Sequence, residues 1–342
     1  MAAAYEKLVI ITKKTALEEL LERFNTRDQA RFYIEHMGGS FQEYQDAHDA
    51  YHRSLDRVRD AIPRDTRTHF VERSFLPTLN FGRSDLVVTV GPDGLVVNAA
   101  KYLDGQPVVA VNPDPLRIDG VLLPYPIDLV SRQLLVHLIQ GRHRLRDVTM
   151  AKAALNDGQV LHAVNDLFIG QKTHVSARYR INHQGIVEDQ SSSGVIISTG
   201  AGSSGWHRSL ITGAHGIMLD STSLDFPHFK SAELDYRFPW SSRGLRYCVR
   251  EPFITKITSA RLIYGAIHES EPMEIISQMP QNGVIFSDGV EQDYLQFNSG
   301  SIATIGLSEK VLRLAICGAA ATLARATRQN TITEAWDESE QD

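Results

Sequence analysis

The stretch Asp85-Leu86-Val87-Val88-Thr89-Val90-Gly91-Pro92-Asp93-Gly94-Leu95 decides the fold class. Its first six residues read as one strand, and their apolar run is continuous rather than alternating, as in a strand buried on both faces. The Gly-Pro-Asp-Gly turn then leads into a helix expected from about Leu95 to Leu103. Upstream, Leu8-Val9-Ile10-Ile11 is a second run of the same kind. Ala16–Phe24 and Ser40–Ile62 read as helices, the longer one with Tyr44, Ala47, Tyr51, Leu55 and Val58 at helical spacing. Downstream, Val108-Val109-Ala110-Val111 follows Pro107 as the next strand. Strands alternating with helices predict an α/β domain with a parallel sheet over residues 1–140.

After Gln140 the punctuation changes. Asn156-Asp157-Gly158 separates two extended runs and is a hairpin signal. His183-Gln184-Gly185 and Gln281-Asn282-Gly283 mark two more turns between extended segments. Residues 141–308 are therefore expected to form a mainly antiparallel β domain. In the last segment, 309–342, Leu312–Ala326 is Ala- and Leu-rich and reads as a closing helix. Glu334–Asp342 reads as an acidic, frayed tail.

The composition narrows the function classes. The 342 residues carry 35 Lys and Arg against 41 Asp and Glu, a net charge of -6, which argues against a dedicated nucleic-acid binder. Apolar runs fall short of the roughly 20 residues needed to span a bilayer. Met1–Ala4 is too short for a signal core, so no secretory leader is expected. Cys248 and Cys317 make neither a disulfide framework nor a CxxC pair, and a reduced cytoplasmic setting is the expectation.

Several motifs carry possible chemistry. In Gly91-Pro92-Asp93-Gly94 the glycines would let a phosphate approach a helix N-terminus, and Asp93 could serve as general base. On local sequence an N-cap role for Asp93 is favoured. Gly200-Ala201-Gly202-Ser203-Ser204-Gly205 satisfies the dinucleotide fingerprint G-x-G-x-x-G, with Asp220 after the strand-like run Gly216–Leu219. However, it sits amid hairpins and leaves room only for a short crossover helix. Asn165-Asp166, read as a strand end, could bind sugar hydroxyls or make an Asx turn. Lys13 and Lys14 could meet phosphate at the sheet's carboxyl edge or form a solvated pair. The basic cluster Arg142, His143, Arg144 and Arg146 reads as a solvated face. His48 and His52 lack the Glu of H-E-x-x-H and read as surface residues.

Taken in order, these segments resemble the NAD kinase superfamily, and within it the mitochondrial-type branch. Val90–Leu95 is similar to that family's Gly-Gly-Asp-Gly-Thr motif, and Val111-Asn112-Pro113-Asp114-Pro115 with Gly120 and Leu122–Pro124 to its next loop. Asn165-Asp166 resembles the family's Asn-Glu pair, and Ser192–Gly194 through Ser198–Trp206 its Gly- and Ser/Thr-rich substrate loop. Arg250-Glu251-Pro252 and Ser287-Asp288-Gly289 add weaker matches in the same order.

The resemblance implies a Rossmann-like α/β domain followed by an antiparallel β-sandwich-like domain, with the site in the cleft between them. It implies transfer of the terminal phosphate of ATP to the 2′-hydroxyl of the adenosine ribose of NAD, with Mg²⁺. Asp93 becomes the catalytic base, Gly91 and Gly94 the phosphate cradle, and Asn165 and Asp166 the ribose contacts, while Lys13 and Lys14 stay phosphate-binding candidates from their place at the sheet edge. Thr199, Ser203 and Ser204 line the NAD pocket. NAD and ATP are the expected ligands, without nucleic acid or membrane, and a homo-oligomer is expected. Two positions depart from the motif: Pro92 offers no N–H where the family has glycine, and Leu95 deletes the hydroxyl of its threonine. A non-catalytic dinucleotide binder and a kinase acting on a lipid or sugar hydroxyl are the alternatives. An oxidoreductase rests only on Gly200–Gly205 and Asp220.

Overall fold

Leu8, Val9, Ile10 and Ile11 are fully buried, as are Leu86, Val87 and Val88, so the continuous apolar runs do form two-faced strands. The computed structural model describes residues 4–221 and 236–316. These fall into two units, residues 4–146 with 313–316, and residues 147–312.

In the first unit, β1 (Lys7–Thr12) is followed by three helices, α1 (Ala16–Phe24), α2 (Arg27–His36) and α3 (Phe41–Ala61). Then come β2 (Arg67–Glu72), β3 (Asp85–Val90), α4 (Asp93–Ala100), β4 (Pro107–Asn112), β5 (Tyr125–Pro126) and α5 (Arg132–Ile139). The strand order is β2-β1-β3-β4, all parallel, with β5 parallel to the end of β4. Helix α3 lays Tyr51, Leu55 and Val58 on Leu8, Ile10, Val88 and Val90, as its apolar spacing predicts. Burying one such side chain contributes roughly 1.5–3 kcal/mol, so this face alone holds α3 on the sheet.

The second unit begins within β6 (Arg144–Leu155), which pairs with β7 (Val160–Ala163) across Asn156–Gln159. It continues through β8 (Asp166–Gln171), β9 (Ala177–His183), β10 (Ile186–Ser192), β11 (Val195–Ser198) and α6 (Trp206–Ser221). Next are β12 (Gly244–Val249), β13 (Tyr264–His268), β14 (Met273–Ser277), β15 (Gly283–Ser287), β16 (Val290–Gln296) and β17 (Ile302–Ile316). One antiparallel sheet runs β13-β12-β11-β8-β15-β16, and another set pairs β10-β9-β14-β17. Tyr179, Ile181, Ile275 and Ala303 from one side share a core cluster with Leu167, Ile169, Val195 and Ile285 from the other. That packing makes the unit a β-sandwich. Gln184 and Gly185, both at positive φ, close the β9–β10 hairpin in two residues. Gln281–Gly283 is a turn too, but it carries the chain from one sheet to the other.

Three expectations change. Leu312–Ile316 complete β17 instead of opening a helix, because Arg313 and Leu314 pair in parallel with Pro107 and Val108 of β4. That pairing overrides the helix preference of Ala and Leu. The rest of the expected closing helix and the acidic tail lie outside the described residues. Gly216–Leu219 is not a strand but lies within α6, with Ile217 and Met218 exposed. Finally, the chain leaves the first unit at Arg146 and returns to it at Arg313, so residues 313–316 rejoin the N-terminal unit.

Candidate active site

In the first unit the carboxyl ends of three parallel strands converge on one cavity of about 500 Å³. Lys13 follows β1, Pro92 follows β3, and Pro113, Asp114 and Arg117 follow β4, and all of them line it. The β2-β1-β3 order reverses the chain's winding direction at β1, and open α/β sheets bind ligands outside such a switch point. Tyr51 ties the site together. Its hydroxyl accepts the Lys13 N–H at 2.9 Å and donates to the Val90 carbonyl at 3.1 Å, locking the ends of β1 and β3. Burial pushes this phenol up to about 12, so it stays a neutral donor.

Pro92, not Asp93, is the N-cap of α4, with φ -71 suiting the pyrrolidine ring. The Asp93 carboxylate accepts the Leu122 N–H at 2.6 Å. Burial raises its pKa, and backbone hydrogen bonds from Leu122 and Val121 oppose the rise. Gly91 donates its own N–H to the Val111 carbonyl, so that donor is spent on the sheet. A Cβ on Gly91 would stand 2.8 Å from Leu95 Cδ2, so the glycine makes room for a buried leucine. Gly94 differs: it is exposed, with open space where a Cβ would go. Lys14 does not line the cavity. Its ammonium pairs with Glu22 of α1 at 2.6 Å.

In the second unit Asn165 and Asp166 do not end a strand. They lie after β7, and Asp166 opens β8, paired with Ser198 of β11. Asp288, in the two-residue turn between β15 and β16, accepts the N–H groups of Val164, Asn165 and Asp166 at 3.1, 2.7 and 3.3 Å. Burial, and secondarily the charge of Asp288, push the Asp166 carboxyl up to about 7. The Thr199 hydroxyl is fully buried, donating to the Val164 carbonyl and accepting from Gly202 N–H. Ser203 donates to the Gly200 carbonyl at 2.7 Å. Both hydroxyls are thereby committed to backbone partners, while Ser204 is half-buried.

The glycines of G-x-G-x-x-G also have a local reason. A Cβ on Gly200 would meet the Pro239 carbonyl oxygen at 2.1 Å, and one on Gly202 the Asn165 oxygen at 2.1 Å. These glycines let three backbone segments pack. The loop follows an antiparallel strand and opens no βαβ unit, so the dinucleotide-fingerprint reading falls away, and Asp220 sits in a helix. Sequence reasoning missed the roles of Tyr51, read only as a core residue, and Arg117. Asp288 was visible only as a weak motif, because its work is done on backbone atoms 122–124 residues away.

The chain thus joins a parallel α/β unit with a cavity at its switch point to an antiparallel sandwich that carries a half-buried Asn-Asp turn. In sequence and in fold the chain resembles the NAD kinase superfamily. It is 24% identical over 251 residues to rat mitochondrial NAD kinase 2, covering 58% of this chain and 59% of that protein. It is 23% identical over 228 residues to a probable NADH kinase of rice, covering 60% and 63% respectively. The chain thus spans less than two thirds of the length of these curated relatives. Among solved structures, yeast NADH kinase complexed with NADH matches with a TM-score of 0.55 and 16% identity, over 91% of this chain and 83% of that one. An Archaeoglobus fulgidus NAD kinase in complex with ATP matches at 0.52 and 12%, over 90% and 92%. No family model matches the chain. Among the described residues, no helix is long and apolar enough to cross a membrane.

Proposed function

We propose that the protein is an NAD kinase, transferring the terminal phosphate of ATP to the 2′-hydroxyl of the adenosine ribose of NAD. The observation that carries this reading is the likeness to NAD and NADH kinases in both sequence and fold, with Asp93 standing at the start of α4 directly after a buried strand. Phosphoryl transfer depends on positioning and charge stabilisation more than on covalent chemistry. Lys13 brings positive charge to the cavity wall where the donor's phosphates would bind, and Arg117 beside it pairs with Asp114 at 2.8 Å. Gly94 leaves the start of α4 open to a phosphate, as the N–H groups of a helix N-terminus favour.

Asp93 would orient the ribose hydroxyl and take its proton. A carboxylate whose pKa is raised by burial is a better base near neutral pH, and the Leu122 N–H holds it in one orientation. Asn165 and Asp166 would hold ribose hydroxyls, with Asp288 fixing their backbone. Thr199 and Ser203 shape the loop, and Ser204 offers the hydroxyl to a ligand. Mg²⁺ takes one or two carboxylates with substrate phosphate oxygens, and Asp114 on the cavity wall is a donor of that kind. When bound, the ion would neutralise phosphate charge. A cytoplasmic setting and a homo-oligomeric assembly complete the reading.

The test is NADP formation from NAD, ATP and Mg²⁺ by the purified protein. NADP should accumulate with ATP present and not without it. Tight NAD binding with no NADP across several phosphate donors would replace the reading with a non-catalytic dinucleotide binder, which the lost hydroxyl at Leu95 and the spent N–H of Gly91 would then explain. Phosphorylation of a lipid or sugar hydroxyl instead would move the site to that substrate class.

A further inference from the structure

His48 and His52 lie four residues apart on α3, with ring centroids 4.3 Å apart. Glu18 of α1 faces them, its Oε1 3.1 Å from His52 Nε2. One donor atom from each of the three lies within 4.8 Å of the other two. We propose that Glu18, His48 and His52 form a binding site for a borderline divalent transition ion of the Zn²⁺ class. Two imidazoles and one carboxylate suit such an ion rather than Mg²⁺ or Ca²⁺, which prefer oxygen donors alone.

The surroundings support ligation. Thr15 Oγ1 sits 2.8 Å from His48 Nδ1, and in the tautomer that donates Nδ1–H to this hydroxyl the Nε2 lone pair is free for a metal ion. The Thr15 backbone N–H holds the second Glu18 oxygen at 2.6 Å, orienting the carboxylate. The N-cap residue of α1 thus orients two of the three ligands, Glu18 and His48. All three ligating side chains are partly exposed, so an ion can enter. His48 and Thr15 also line the cavity described above, which leaves coordination positions for water or a ligand oxygen. Zn²⁺ bonds of about 2.0–2.2 Å would draw the donors slightly closer than they stand. The competing reading is that the Glu18–His52 and Thr15–His48 contacts merely tie α1 to α3; it predicts no metal affinity.

The experiment is calorimetric titration of the chelator-treated, tag-free full chain with Zn²⁺ alone, with Co²⁺ absorption as a second readout. Wild type should bind one ion per chain at this site, and its melting temperature should rise with Zn²⁺. His48→Ala, His52→Ala and Glu18→Gln should each weaken that binding by at least about 10-fold, because even outer partners of a metal site contribute about 10–100-fold. All three variants should melt like wild type without metal or slightly lower. Thr15→Val should weaken binding by about 10–100-fold, whereas Thr15→Ser should restore it. Absence of Zn²⁺ binding in wild type, or equal affinity and equal Co²⁺ spectra in the His variants, would overturn the proposal. It does not depend on the kinase reading, since no readout uses activity.

Discussion

Asp288 accepts the backbone N–H of Asn165 at 2.7 Å, and through that bond and two neighbouring ones it holds the Asn165-Asp166 turn in place. A second carboxylate is thereby installed beside Asp166, both residues half-buried. The cost falls on Asp166, whose pKa rises from 3.8 to about 7, chiefly by burial and then by repulsion from Asp288.

A pH dependence follows with a definite sign. Below the unfolded value of 3.8, Asp166 is protonated in both states and costs nothing. As pH rises to about 7 the unfolded chain releases its proton while the folded chain keeps it, so stability falls by up to about 1.4 kcal/mol per pH unit. Above that the penalty is constant. Asp166→Asn should therefore raise the melting temperature more at pH 8 than at pH 5. An identical shift at both would show that Asp166 ionises normally in the fold. In the kinase reading, NAD should also bind wild type more tightly as pH rises through about 7, if a ribose hydroxyl donates to this carboxylate.

Asp93→Asn separates base from clamp. The amide oxygen of Asn can still accept the Leu122 N–H, so the melting temperature should stay within a few degrees of wild type. Loss of the proton acceptor should lower turnover by about 10²–10⁴-fold. Unchanged turnover would leave Asp93 with only its structural bond to Leu122.

In the kinase reading, restoring the motif of the NAD kinase superfamily at positions 92 and 95 should not improve activity. Leu95 is 1% exposed and packs on Gly91, so Leu95→Thr opens space and buries a hydroxyl, at about 2–4 kcal/mol by analogy with other large-to-small core changes. Pro92→Gly adds about 0.4–1 kcal/mol by restoring freedom to the unfolded chain. The double variant should lose stability without gaining kcat/KM for ATP. A gain would mean that the missing N–H and hydroxyl are real losses. Thermal melts with steady-state kinetics against ATP decide it.

Asn165→Ala should raise KM for NAD and leave kcat nearly unchanged, because a ribose contact made before and during reaction contributes equally to both states. The backbone contacts of residue 165, to Asp288 and Thr199, do not need its side chain. A fall in kcat at constant KM would assign Asn165 a role in the reacting geometry.

Much of this molecule was legible from local pattern. Runs such as Leu86–Val88 have few soluble alternatives to a two-faced parallel strand, and the spacing of Tyr51, Leu55 and Val58 demanded one buried helix face. The Asn-Asp-Gly and Gln-Gly turns required positive φ and were read as turns for that reason. Where reading failed, the deciding partner was far away in sequence. Leu312–Ile316 look helical until β4 offers them a ladder. Gly200 and Gly202 look like a phosphate loop until Pro239 and Asn165 are seen to fill the space a side chain would take.

Sequence alone determined the strand and helix periodicities, the turns and the order of the motifs, because these depend on side-chain type and on spacing of a few residues. Only tertiary structure decided which polar groups remain available for chemistry. The hydroxyl of Thr199 and the N–H of Gly91 are consumed by backbone partners, whereas Asp93 is held by Leu122 and Asp166 is left half-buried beside Asp288. Hydrogen-bond satisfaction and desolvation are properties of the packed interior, and no linear pattern specifies them.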